Sequence, residues 1–146
     1  MIRSAIVDHA IDPAAAIAEV RTDDVGAISV FVGTVREVSD GRVVTQLEYD
    51  AYQSMAETEL AAIVSEAAQR YDIASLVAEH RVGNLGVGDV SVVIASAHAH
   101  RALAIQCTHF VIEEIKKRVP IWKREHFADG TRQWVDPTAR AEASAS

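Results

Sequence analysis

The order of strand-like and helix-like patterns constrains this chain more than any single motif does. Ile2 to Val7 predicts a short strand. Asp12-Pro13 supplies an N-cap and a first helical residue with a pre-set φ, so a helix is expected to about Thr22. Gly26 to Val35 is a strongly apolar β run. A polar loop, Arg36 to Arg42, leads into Val43 to Tyr52, whose pattern suits a half-buried strand. Ser54-Met55-Ala56-Glu57 reads as a capping box opening a helix to about Arg70. Ser75 to Val82 and Val90 to Ala97 predict strands, and the glycine-rich Gly83 to Asp89 between them predicts a loop. A helix from about His100 to Arg118 ends at Pro120, which cannot continue it. Trp122 to Val135 predicts a hairpin turning at Asp129-Gly130. Strands and helices do not alternate regularly. The expected class is therefore α+β with a mostly antiparallel sheet, not a doubly wound parallel one.

A chain of 146 residues is expected to form one domain, here over 1–136, with a flexible Ala/Ser-rich tail over 137–146. No apolar run is long enough to span a membrane, and the N-terminus lacks the apolar region of a signal peptide, so the expected location is the cytoplasm. The net charge of -7 argues against a broad nucleic-acid surface, which needs clustered cations. The one cysteine, Cys107, excludes an internal disulfide and any CxxC pattern. It lies in a helical pattern four residues before Val111 and is expected to be a buried, inert thiol. Any sulfur this protein handles should then arrive on a partner.

Against that acidic background one stretch is concentrated and cationic. Glu114 to Glu125 reads E-I-K-K-R-V-P-I-W-K-R-E and holds all three lysines of the chain, Lys116, Lys117 and Lys123, with Arg118 and Arg124. It reads either as a site for an anion or as a solvated helix end, because basic residues favour the last helical turn. Ile105, His109, Ile112 and Lys116 follow 4-3-4 spacing and share a helix face. Lys116 thus extends a largely apolar stripe, where partial desolvation would suit it to acid, base or nucleophile chemistry. Lys117 is rotated about 100° away. Lys123 follows Pro120 on an extended segment, beside Trp122, a candidate pocket wall. Two further places carry candidate chemistry. Arg36 leaves an apolar strand, where it could grip an anion bidentately or merely sit on the surface. His100-Arg101 stands at a helix start, where the free N–H groups attract anions. His98-x-His100 raises metal binding but has no carboxylate or cysteine beside it. The glycines of Gly83 to Asp89 do not match a phosphate-cradling fingerprint.

Several of these segments, in order, resemble one family. K-K-R-V-P-I-W-K-R-E resembles the (K)-x-R-x-P-x-W-K-x-E signature of the MoaE family, the catalytic large subunit of molybdopterin synthase. G-A-I-S-V-F-V-G-T-V-R, ending at Arg36, is similar to its G-A-x-x-x-F-x-G-x-V-R. L-E-Y-D-A-Y-Q-S-M-A, H-R-V-G-N-L-G-V-G-D and S-A-H-A-H-R resemble L-x-Y-x-x-Y-x-x-M, H-R-x-G-x-L-x-x-G-D and S-x-H-R. His100-Arg101 lies sixteen residues before Lys116, as in the family. The matches run from about Gly26 to Val135.

The resemblance implies an α/β-hammerhead with an additional mostly antiparallel β part. It implies a sulfurtransferase acting on cyclic pyranopterin monophosphate (precursor Z) and installing the two dithiolene sulfurs of molybdopterin. The sulfur would come from the C-terminal Gly-Gly thiocarboxylate of a small ubiquitin-like MoaD-type subunit, within a heterotetramer built on a central pair of large subunits. No metal and no resident cofactor are implied. Lys116 matches the principal catalytic lysine and Lys123 the second, while Arg36, His100 and Arg101 match substrate-pocket residues. The family can draw an arginine from the neighbouring subunit's tail, for which Arg140 is the nearest counterpart. On this reading Arg36, His100 and Arg101 should converge near Lys116 and Lys123. A non-catalytic partner-binding module of the same fold and a His-dependent metallohydrolase are the other classes to separate.

Overall fold

The computed structural model describes residues 1–135, so Arg140 and the tail lie outside the described residues. Twelve elements run in the order β1 (Ile2–Val7), α1 (Pro13–Val20), β2 (Ala27–Thr34), β3 (Val38–Ser39), β4 (Arg42–Ala51), α2 (Gln53–Arg70), β5 (Ser75–Arg81), β6 (Gly83–Gly86), β7 (Val90–His98), α3 (Arg101–Arg118), β8 (Ile121–Phe127) and β9 (Arg132–Val135). They form two sheets. The first has the order β1-β5-β7-β2, parallel only between β1 and β5. The second has the order β3-β4-β8-β9, with β6 also paired to β4, and is antiparallel throughout. This is the expected α+β hammerhead with a second, antiparallel sheet.

The first sheet is covered on both faces. Strand alternation sends Leu76, Ala78 and Ile94 toward α2 and α3, where Leu60, Ile63, Val111 and Ile115 meet them. Val77, Val93 and Ala95 point the other way and pack on Ala16 and Val20 of α1. β5 and β7 are therefore buried almost end to end, which is why they read as continuous apolar runs rather than as alternating ones. Burying one such Leu or Ile fully is worth about 1.5–3 kcal/mol. A smaller cluster of Val35, Leu47 and Leu85 supports the second sheet.

Local chemistry explains most boundaries. The Asp12 carboxylate accepts from the Ala14 N–H at 3.0 Å, and Pro13 is the first residue of α1, as expected. The polar loop after Arg36 holds the two-residue strand β3 and a tight turn with positive φ at both Asp40 (50°) and Gly41 (76°). Two expectations are corrected. The Ser54 to Glu57 capping box does not form: α2 starts at Gln53, with Tyr52 as an N-cap that makes no side-chain bond. The Tyr52 N–H donates to the Pro120 carbonyl at 3.2 Å, which fixes the exit of β4 and starts the helix before Ser54 can cap it. Gly83 to Gly86 is not a loop but strand β6, with Leu85 opposite Leu47 and fully buried. One leucine among glycines is too little alternation to announce a strand.

Candidate active site

The two sheets meet α3 around a cavity of about 460 Å³. The end of β2, the middle of β4 and β8, the last turns of α3, and His80 and Ser91 from the first sheet all line it. Three cations seen in the sequence come together there: Arg36, Lys116 and Lys123. Each is delivered by a different device. Arg36 follows Val35, which is 3 % exposed and clamped by two backbone bonds, donating to the Asp89 carbonyl at 3.0 Å and accepting from Gly88 at 2.9 Å. Lys116 occupies the last turn of α3. Lys123 sits opposite Tyr49 in the β4–β8 ladder. Alternation along β8 turns Ile121, Lys123 and Glu125 to the cavity and Trp122 away from it, 44 % exposed. The expected pocket wall at Trp122 is thereby corrected. Gly33 lines the same cavity because β2 and β7 approach closely there: an added Cβ would stand 2.6 Å from Val92 Cγ1.

The cationic stretch divides by direction. Lys117 pairs with Glu114 at 3.6 Å. Arg118 ties α3 to α2 through Glu59 at 2.9 Å and Glu66 at 2.5 Å, and Arg124 pairs with Glu48 across the strands. Lys116 and Lys123 are the two that line the cavity. The solvated helix end describes Lys117 and Arg118, while Lys116 and Lys123 stand where a cavity could receive an anion. The stripe expected below Lys116 is corrected as well. Ile112 is buried, but Ile105 is 57 % exposed, and His109 and Lys116 are exposed too. The buried face of α3 is Ala104, Cys107, Thr108, Val111, Ile112 and Ile115, one step round. Lys116 stands at the rim of the core rather than within it.

His100 and Arg101 do not reach this cavity. They line a separate recess at the other end of α3, with Gly26 and Ala99. Fifteen residues of helix put Arg101 about 22 Å from Lys116 along the axis. The expected convergence within one protomer is thus corrected: His100 and Arg101 stand at one end of the 18-residue α3 and Lys116 at the other, lining different recesses. His100 is the N-cap without a side-chain bond, and its N–H donates to His98 Nδ1 at 2.9 Å. The rings of His98 and His100 lie 5.9 Å apart, and among the described residues no three His, Cys, Asp or Glu side chains gather to hold a metal.

Three cavity residues escaped the sequence reading. Glu125 is 2 % exposed, a carboxylate placed two residues from Lys123 and so on the same strand face. Tyr49 is raised in pKa by burial, a hydrogen bond with Ser91 opposing the shift. His80 is held down at about 4, first by burial and further by the charge of Lys116, so its ring is neutral near pH 7. The signals available were a polar residue at an inward position of a strand and, for each of the three, a fixed letter in the motifs compared above.

Cys107 is fully buried on the core side of α3, and burial pushes its thiol up to about 11. The native protein should resist iodoacetamide at pH 8 and be alkylated only after denaturation, as read by intact mass. Rapid native alkylation would remove the reason for placing the sulfur elsewhere.

Fold and cavity together define an α+β protein that gathers two lysines and an arginine around a small molecule's volume. The chain belongs to the MoaE family: the family model described as MoaE protein matches residues 6–118. It is 43% identical over 129 residues to a molybdopterin synthase catalytic subunit of Thermoplasma volcanium, spanning 88% of this chain and 94% of that one. Among solved structures it is similar to molybdopterin synthase from Staphylococcus aureus, with TM-score 0.83 and 36% identity over 89% of this chain and 94% of that one. It is also similar to a chain in a complex of subunits 1 and 2 of molybdopterin-converting factor from Helicobacter pylori, with TM-score 0.74 and 26% identity, covering 90% and 89%.

Proposed function

We propose that this chain is the catalytic large subunit of a molybdopterin synthase in molybdenum cofactor biosynthesis. It transfers sulfur from the thiocarboxylated C-terminus of a small ubiquitin-like subunit to cyclic pyranopterin monophosphate, forming the dithiolene of molybdopterin. The observation that carries this reading is the meeting of Arg36, Lys116 and Lys123, from three separate elements, in one cavity. Two ammonium groups and a guanidinium suit a phosphate and the charge that develops as sulfur is exchanged. Lys116 and Lys123 are the catalytic residues of the reading, and Arg36 binds substrate. The sulfur is partner-borne because the chain's one thiol is buried and protonated. A Gly-Gly tail is narrow enough to enter, since glycine has no side chain to clash. The reading assigns the chain no resident metal or cofactor and places it in the cytoplasm, in keeping with the absence of any membrane-length apolar helix among the described residues.

His100 and Arg101 fit this reading only in an assembly. About 22 Å from their own Lys116, they can meet a lysine cavity only on a second copy, in the central pair of a heterotetramer. Arg140, outside the described residues, has the same standing: a candidate phosphate ligand for the neighbouring copy.

The test is direct. The purified chain, mixed with a thiocarboxylated small subunit and cyclic pyranopterin monophosphate, should yield dithiolene product and discharge the carrier. A properly folded complex that consumes neither carrier nor substrate would remove the reading.

A further inference from the structure

Among the titratable side chains of the cavity that the proposed sulfur transfer does not use, His80 has a specific placement. His80 lies on β5 at 8 % exposure and faces the cavity that Lys116 also lines. Its Nδ1 is 2.8 Å from the Arg81 carbonyl. A carbonyl only accepts, so Nδ1 carries the proton and Nε2 keeps its lone pair. The ring is held against Tyr49 in an edge contact, with centroids 5.1 Å apart at 77°. A leucine would fill such a place at no desolvation cost. A buried imidazole with one nitrogen committed to the backbone is instead a fixed, uncharged acceptor.

We propose that His80 is a positioning residue for Lys116, its free Nε2 offering the Lys116 amino group a neutral acceptor within the cavity that both side chains line. The proposal rests on the sulfur-transfer reading for its purpose, but not for its test. A lysine that moves protons must be able to change charge state. A carboxylate partner would hold it as the ammonium, whereas a neutral acceptor directs the N–H and leaves the charge free to change. The neutrality of His80 near pH 7 is secured by burial and by the lysine itself. The other charged or titratable groups facing Lys116 in the cavity are Arg36, Tyr49, Glu113, Lys123 and Glu125. All remain in place in the variants below.

Two substitutions separate the ring nitrogens. His80→Asn keeps an N–H for the Arg81 carbonyl and removes the group at the Nε2 position. His80→Gln restores an amide oxygen near that position. The pH profile of Lys116 acetylation by acetic anhydride, read by mass spectrometry in the intact protein, reports on the amino group without any turnover. In His80→Asn the midpoint should fall by at least about half a unit, because the ammonium loses an acceptor. His80→Gln should return it toward wild type, and Lys117 should be unmoved in both. In the complete synthase, kcat should fall about tenfold in His80→Asn, less than the roughly 10²-fold expected for loss of the acid–base group itself, with KM for the small subunit unchanged. ¹⁵N-imidazole spectra need no His80 variant: the Nε2 resonance should shift in Lys116→Ala. An unchanged Nε2 resonance, or a Lys116 profile identical in wild type and a folded His80→Asn, would overturn the proposal. Loss of turnover in every protein, wild type included, would instead count against the sulfur-transfer reading.

Discussion

Lys116→Ala should lower dithiolene formation by at least about 10²-fold while leaving the fold and the complex with the small subunit intact. The expectation follows from where the side chain stands. Lys116 is exposed at the rim of α3, so its removal opens no hole in the core. It lines the cavity with Lys123 and Arg36, so its loss removes one of the three cations the cavity offers to an anionic substrate on the proposed reading. Lys117, one residue on, is the internal control. It points away and pairs with Glu114 at the surface, and Lys117→Ala should change turnover by less than about twofold, since exposed ion pairs contribute little. Turnover and melting temperature measured on both variants decide the matter. A Lys116→Ala protein with near-normal turnover would remove the residue from the chemistry.

The second large effect concerns two copies. Arg101→Ala and Lys116→Ala should each be nearly inactive alone, yet recover activity when unfolded together and refolded as mixed pairs. If one copy's Arg101 serves the other copy's Lys116, a mixed pair has one intact cavity and one doubly damaged one. Random pairing makes half the pairs mixed, so the mixture should reach about a quarter of wild-type turnover. If both residues served the same protomer's cavity, every cavity would keep one defect and nothing would be recovered. The ends of α3, about 22 Å apart, make the first outcome the expected one.

Much of this architecture was legible in the sequence because it rests on local signals. Asp12-Pro13 starts α1, Pro120 ends α3, and Gly130, at φ 86°, turns the last hairpin. The continuous apolar run of β7 announced a doubly covered strand only once its neighbours were known. What was not legible depends on contacts across the fold. The start of α2 is set by the Pro120 carbonyl, nearly seventy residues away, and β6 exists because Leu85 finds Leu47 and Val35. The site divides the same way. Lys116, Lys123 and Arg36 were readable from a motif and a strand end. His80, Tyr49 and Glu125 also stand at fixed letters of the family motifs, but pattern and chemistry alone do not single them out, since an inward-facing polar residue in a strand looks like any other until the opposing wall is in place. His100 and Arg101 stand apart from the lysine cavity because fifteen residues of helix separate Arg101 from Lys116 at a fixed rise per residue. A motif that unites residues in function need not unite them in one protomer.

The central claim is that the sulfur is carried in by the partner and handed over at the lysine cavity. The most direct measurement labels only the terminal thiocarboxylate of the small subunit with ³⁴S and follows a single turnover by mass spectrometry. The account predicts that the dithiolene carries the label undiluted and that Cys107 acquires none. It also predicts that a small subunit ending in an ordinary carboxylate yields no product. Unlabelled sulfur in the dithiolene, label passing through Cys107, or product formed with the carboxylate-ended subunit would contradict it.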